Sequence, residues 1–228
     1  MSQKINPISL RLGVTQVWDS TFQFYGKSNK TYQSIFHKNY QAFTFISCIH
    51  NCSEFLLGNF VAHFNRNYTS IDFFCSISKP DKICLNLNQI SDIISCWYDS
   101  KIFLFPYQKM NWFSSTKLIS NYVKFLLSQN LNPTIILKDL GSFFELQFES
   151  EKIINSVKGP LKVQLKGFKI KLTGRFDNSR NQLSKNIVNK MGALPLTSLK
   201  SYLEFTSTEI YTKLGTCGLQ IWLFYKIN

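Results

Sequence analysis

Six consecutive residues, Phe168-Lys169-Ile170-Lys171-Leu172-Thr173, alternate apolar and polar side chains. A period of two marks a strand with one buried and one solvated face, so Lys169 and Lys171 share the outward side. Around this strand Lys158, Lys162, Lys166, Lys169, Lys171 and Arg175 succeed one another with no acid between them. A lone pair of lysines reads as an ordinary solvated sheet surface. Six unopposed cations point instead to contacts with phosphate.

The rest of the charge supports that reading. The 228 residues hold 26 Lys/Arg against 13 Asp/Glu, a formal charge of +13. Residues 151–228 carry 13 of those bases and 4 of the acids, net +9, so the polyanion footprint lies in the last third. The chain is not a disordered basic tail, because 44% of it is hydrophobic and it contains 21 Phe. Its length suits one or two domains. Alanine occurs only at positions 42, 62 and 193, a skew that fits an AT-rich genome such as an organelle's.

No apolar run reaches the roughly 18 to 20 residues that span a bilayer. Met1 to Pro7 has neither a signal-peptide core nor a transit-peptide pattern, so the mature chain is expected to begin there. The six cysteines are too sparse and irregular for a disulfide scaffold, and reduced thiols are expected. Cys48-x-His50-x-Cys52, with His63 beyond, lacks a second ligand pair and reads as buried thiols rather than a zinc site.

The C-terminal part reads as a sequence of elements. Leu118, Ile119, Tyr122, Val123 and Leu126 predict a helix over 116–130, ended by Asn132-Pro133. A second helix is expected over 149–158, closed by Gly159-Pro160. A third should start at Asn178-Ser179, carry Leu183, Ile187 and Met191, and stop at Gly192, with Arg180, Lys185 and Lys190 off its apolar stripe. Leu219–Tyr225 reads as a buried strand, Leu199–Phe205 as another, with Gly215 and Gly218 in the turn between them. These predict an α+β fold. Before them, 71–77 alternates like a strand, the Phe/Tyr-rich stretch around it suggests helices or a partner surface, and a boundary falls between Pro106 and Ser115.

Catalytic signatures are absent: there is no G-x-S-x-G, G-x-x-x-x-G-K-[ST], G-x-G-x-x-G or H-E-x-x-H, and no spacing joins the histidines to carboxylates. No enzyme activity, cofactor or metal is expected. Two aromatic-basic stretches, Phe22 to Lys27 and Trp222 to Lys226, have the composition to stack on bases. Core packing is the preferred reading of the second; for the first both readings stay open.

Two blocks resemble a known family. Gln3-Lys4-Ile5-Asn6-Pro7, Leu10-Arg11-Leu12-Gly13 and Trp18-Asp19-Ser20-Thr21 are similar to the N-terminal signature of the small-subunit ribosomal protein uS-three family. Lys166 to Arg175, Leu194 to Leu199, Ser207-Thr208-Glu209 and Gly215 to Phe224 resemble its C-terminal domain, in order and at nearly its spacing. The resemblance implies a protein of the small-subunit head with an N-terminal type II KH-like domain and an α+β C-terminal domain. It implies rRNA, mRNA near its entrance channel, and the small-subunit proteins ten and fourteen as partners. It divides the chain into an rRNA-contacting arm (1–25), a KH-like domain (26–115) and the C-terminal domain (116–228).

Three departures qualify it. No glycine lies between Gly58 and Gly141, so the G-x-x-G clamp of a KH domain is missing and that domain is degenerate. The basic cluster associated with mRNA unwinding is replaced by a stretch with Glu149, Glu151, Asn155, Lys152 and Lys158. The glycine pair after Gly174-Arg175 is replaced by Asp177-Asn178. The divergent middle and the codon skew point to a mitochondrially encoded member, with a plastid member second.

The expected function is therefore that of a structural constituent of the mitochondrial small ribosomal subunit. Its rRNA contacts are expected from Gln3, Lys4, Arg11, Lys158, Lys162, Lys166, Lys169, Lys171, Arg175 and Arg180. No homo-oligomer is expected. The alternative is a free RNA-binding or RNA-processing protein of an organelle. A nuclease is disfavoured, because no cluster of carboxylates is present to hold a metal.

Overall fold

A computed structural model describes residues 5–18, 29–52, 56–64, 68–76, 87–98, 100–109, 111–157, 159–176 and 184–227. The chain divides into two compact units: Asp19–Trp112, and Met1–Trp18 joined with Phe113–Asn228.

In the first of these units α1 (Asn29–Cys52) is followed by the hairpin β1 (Leu56–Phe64) and β2 (Tyr68–Ser76), then α2 (Leu87–Tyr98) and β3 (Lys101–Gln108). β2 buries Thr69, Ile71, Phe73 and Cys75, the alternation expected of a half-buried strand. β1 and β2 are antiparallel, whereas β2 and β3 are parallel, a pairing that requires the crossover through α2. Ala42 and Ile46 of α1 and Ile94 of α2 meet Leu57, Ile71, Phe73 and Ile102 of the sheet in one core.

The other unit is a five-stranded sheet under two helices. α3 (Thr116–Ser128) and α4 (Pro133–Leu146) lead into β4 (Glu151–Ser156), β5 (Gly159–Gly174), β6 (Lys185–Gly192), β7 (Ser201–Thr212) and β8 (Gly215–Ile227). The order is β4-β5-β8-β7, with β6 beside the later half of β5. α3 buries Leu118, Ile119, Val123 and Leu127 against β7 and β8. α4 begins with Pro133, whose fixed φ and missing N–H suit the first helical position, and packs on β5 and β6. There Phe144 stacks on Phe168 with ring centroids 4.5 Å apart. Gly141 of α4 abuts Asn189 of β6, whose amide donates to the Leu137 carbonyl at 2.7 Å.

The fold is α+β, as expected, and the helix predicted over 116–130 is α3. Two expected helices are strands. Within 149–158, Glu151–Ser156 form β4, paired through a tight hairpin with β5, whose first residue, Gly159, has φ +111. In 185–192, Ile187 and Met191 pair with β5, so a period read as helical belongs to an edge strand; the proposed helix start, 178–183, lies outside the described residues. Gly215, at φ +128, turns β7 into β8 as expected, but Gly218 lies inside β8.

Candidate nucleic-acid interface

The inner face of the five-stranded sheet is apolar: Leu165, Phe168, Ile170 and Leu172 of β5 meet Leu219, Ile221, Leu223 and Tyr225 of β8. Cross-strand partners project to the same side. The register therefore lines up on the outer face Lys190 of β6, Lys169 of β5, Trp222 of β8 and Phe205 of β7. The next row holds Val188, Lys171, Gln220 and Ser207. The Lys169 ammonium lies 5.2 Å from the centroid of the Trp222 ring, and Phe205 is 5.2 Å from that ring on the other flank. A cation over an indole is attracted to its negative face.

A β-bulge decides that the lysines agree in direction. The pairing with β8 slips between Leu165 and Gly167, leaving Lys166 as the extra residue. Before the bulge the even positions, Lys162, Gln164 and Lys166, face out; after it the odd positions, Lys169 and Lys171, do. In a regular strand one of these groups would point into the core. Gly167, the residue after the bulge, lets the chain beyond β6 pass close, since a Cβ there would strike the carbonyl oxygen of Ala193.

The structure separates the ten expected contact residues. Lys169 and Lys171 sit in the aromatic-basic rows. Lys162 and Lys166 are opposed after all: β4 and the residue before its hairpin bring Glu151 to Lys162, and Glu149 to within 2.8 Å of Lys166. These pairs hold both carboxyls below their ordinary values, Glu149 through Lys166 and Glu151 through Lys162 and Gln164. Arg175 is half-buried just beyond β5, its carbonyl facing the Cys217 thiol. Gln3, Lys4, Lys158 and Arg180 lie outside the described residues.

Arg11 is a correction. It was expected in an arm along rRNA, yet it is fully buried. Its Nε donates to the Ser201 carbonyl at 3.1 Å and its Nη1 to that of Pro7 at 2.9 Å. Nη2 reaches the carbonyls of Pro195, Leu196 and Ser198 at 3.3, 3.0 and 2.7 Å. With Gln16 donating to the Leu203 carbonyl, this ties the N-terminal segment to the outer edge of β7. Burial lowers the Arg11 pKa by desolvation, and carbonyl dipoles take the place of phosphate around the charge. Lys152 is likewise turned inward, donating to the Ser114 carbonyl at 2.7 Å and to Glu204 at 2.5 Å.

Trp222 and Phe205 are the members that the reading of residues missed. Trp222, expected in the core with its neighbours, is half-buried on the outer face beside Lys169. The signal was Gln220, which shows that the even positions of this strand face outward. Cys48 is exposed rather than buried, and among the described residues no group of metal ligands forms. No helix among them is long and apolar enough to cross a membrane.

No family model matches the chain. It is 40% identical over 227 residues to the small ribosomal subunit protein uS3m of Chondrus crispus, covering 99% of this chain and 94% of that protein. Bacterial uS3 proteins align as well: that of Phytoplasma mali is 24% identical, covering 99% of this chain and 85% of its own length. That of Fusobacterium nucleatum is 23% identical, with 99% and 94% covered. Identity at this level over nearly the whole of both chains leaves one conclusion: the chain belongs to the uS3 family of small ribosomal subunit proteins.

Proposed function

We propose that this chain is a structural, non-enzymatic constituent of the mitochondrial small ribosomal subunit that holds rRNA against the outer face of its five-stranded sheet. One observation carries the assignment of the face: Lys190, Lys169 and Trp222 stand side by side across three strands. Lysines there supply the positive charge that phosphates require, and each phosphate neutralised releases counterions. The indole beside them offers a surface for an unpaired base or a ribose edge.

Lys171, Lys162, Lys166 and Arg175, with Gln3, Lys4, Lys158 and Arg180, complete the proposed contact set; Arg11 supports the fold instead. Residues 26–115 are read as the degenerate KH-like domain. The family resemblance supports a place in the head near the channel by which mRNA enters, with proteins ten and fourteen as neighbours. It supports location in the mitochondrial matrix, where that ribosome works.

Fractionation of mitochondrial ribosomes tests this. The chain should sediment with the small subunit and stay there through a high-salt wash, and the Lys169→Glu/Lys171→Glu variant should shift to light fractions. Absence of the unaltered chain from the small-subunit fraction overturns the proposal.

A further inference from the structure

The three-stranded sheet has a second face that no helix among the described residues covers. Its inner face supplies Leu57, Ile71, Phe73 and Ile102 to the core under α1 and α2. On the outer face, β3 presents Phe103, Phe105 and Tyr107, exposed by 49, 44 and 47%, and β2 adds Tyr68, exposed by 41%. The rings form two pairs. Tyr68 meets Phe103 edge-on at 5.8 Å, and Phe74 meets Tyr107 at 5.7 Å. β3 is an edge strand, and its three rings recur every second residue, about 6.6 Å apart.

The chemistry around the rings narrows the partner. Lys101 pairs with Tyr68 at one end, and at the other the Lys109 ammonium lies 5.1 Å from the Phe74 ring centroid. Between the ends, Phe103 shares a row with Ser70 and His63, and Phe105 shares one with Asp72 and Val61. Asp72 lies 3.7 Å from His63. The face thus combines π surfaces, cations at both ends and donors and acceptors between them, with Val61 as its aliphatic member. The rings of this face are interleaved with a hydroxyl, an imidazole and a carboxylate and flanked by two ammonium groups, whereas aliphatic side chains gather on the inner face.

We propose that this outer face is a second RNA site, on which two or three unpaired bases stack against Phe103, Phe105 and Tyr107. Lys101 and Lys109 take the flanking phosphates. Ser70, His63 and Asp72 meet base edges, and the Asp72 carboxylate keeps the backbone out of the middle. Aromatic rings on an open sheet face stack bases of any sequence, because every base has a π face. The site is independent of a G-x-x-G clamp and of the lysines on the five-stranded sheet.

The test uses the full-length chain, a labelled twelve-residue oligouridylate and an abasic ribose-phosphate oligomer of the same length, with binding read by fluorescence anisotropy. Phe103→Leu/Phe105→Leu keeps apolar bulk and removes the rings; Phe103→Ala/Phe105→Ala removes both. Each should weaken oligouridylate binding about tenfold or more and leave abasic binding unchanged. Lys169→Glu/Lys171→Glu should weaken both oligomers, which separates this site from the one proposed above. Equal loss for the two oligomers, or no loss, in the ring variants overturns the proposal. So does crosslinking of residues 101–109 in assembled subunits to protein alone, whereas crosslinks from those residues to RNA support it.

Discussion

The guanidinium of Arg11 donates a 2.7 Å hydrogen bond to the carbonyl of Ser198, 187 residues farther along the chain. This contact joins the first residues of the protein to the loop before β7, and four further carbonyls share the same side chain. Arg11→Ala leaves those acceptors unpaired, so unfolding free energy in denaturant titrations of the RNA-free chain should drop by about 3 kcal/mol. Arg11→Lys, with three donors on a point charge, should recover only part of it. An effect of Arg11→Ala confined to RNA binding would place Arg11 on the RNA after all.

Lys169 and Lys162 should differ, although both are lysines on the outer face of β5. Glu151 already neutralises Lys162, whereas Lys169 stands next to Trp222 and Lys190. Lys169→Glu should flatten the slope of log affinity against log salt by at least about 0.7. Lys162→Glu should change it by clearly less, in the same titration.

The carboxylates opposite Lys162 and Lys166 set a pH dependence. Because Glu149 and Glu151 have folded pKa values below their ordinary ones, their contribution is present above the ordinary carboxylate range. It is lost as pH falls through the depressed folded values. Both groups are exposed, so the stability effect is small. Glu149→Gln/Glu151→Gln should remove it from acid-denaturation curves. At neutral pH the same variant should bind RNA more tightly, with a steeper salt dependence.

Gly167 follows the change of phase in β5. Gly167→Ala forces a Cβ against the Ala193 carbonyl, so the thermal midpoint should fall by the equivalent of about 1–3 kcal/mol. An unchanged midpoint would mean that this position accepts a side chain.

Tyr98 tests the core of the other unit. Its hydroxyl is buried without a hydrogen-bond partner among the described residues, and burial pushes its pKa up. Tyr98→Phe removes an unsatisfied polar group of almost the same shape, so stability should stay level or rise by up to about 1 kcal/mol. A loss above that would reveal a partner for the hydroxyl.

How much could be read in advance differed from segment to segment for physical reasons. The helix over Thr116–Ser128 declared itself because Leu118, Ile119 and Val123 recur at helical spacing and Asn132-Pro133 ends the pattern. In contrast, Ile187 and Met191 stand four apart, a spacing that suits a helix face and also two same-face positions of a strand. Pairing with β5, a long-range event, decided for the strand. Glu151 to Ser156 went the same way, because the partner that makes it a strand lies across the hairpin, from Gly159 onward.

The residues alone determined that the chain folds, that Phe168 to Thr173 makes a strand with lysines outward, and that the excess charge gathers in the last third. These follow from local covalent and solvation rules: side-chain period, hydrophobic content and charge. Tertiary structure alone decided which cations remain on the surface. It buried Arg11 among carbonyls, set Glu149 and Glu151 against Lys166 and Lys162, and placed Trp222 beside Lys169. Arg11 is buried because the N-terminal segment docks beside β7, the ion pairs follow from the β4–β5 register, and Lys169 meets Trp222 because a one-residue bulge in β5 reverses which positions face outward.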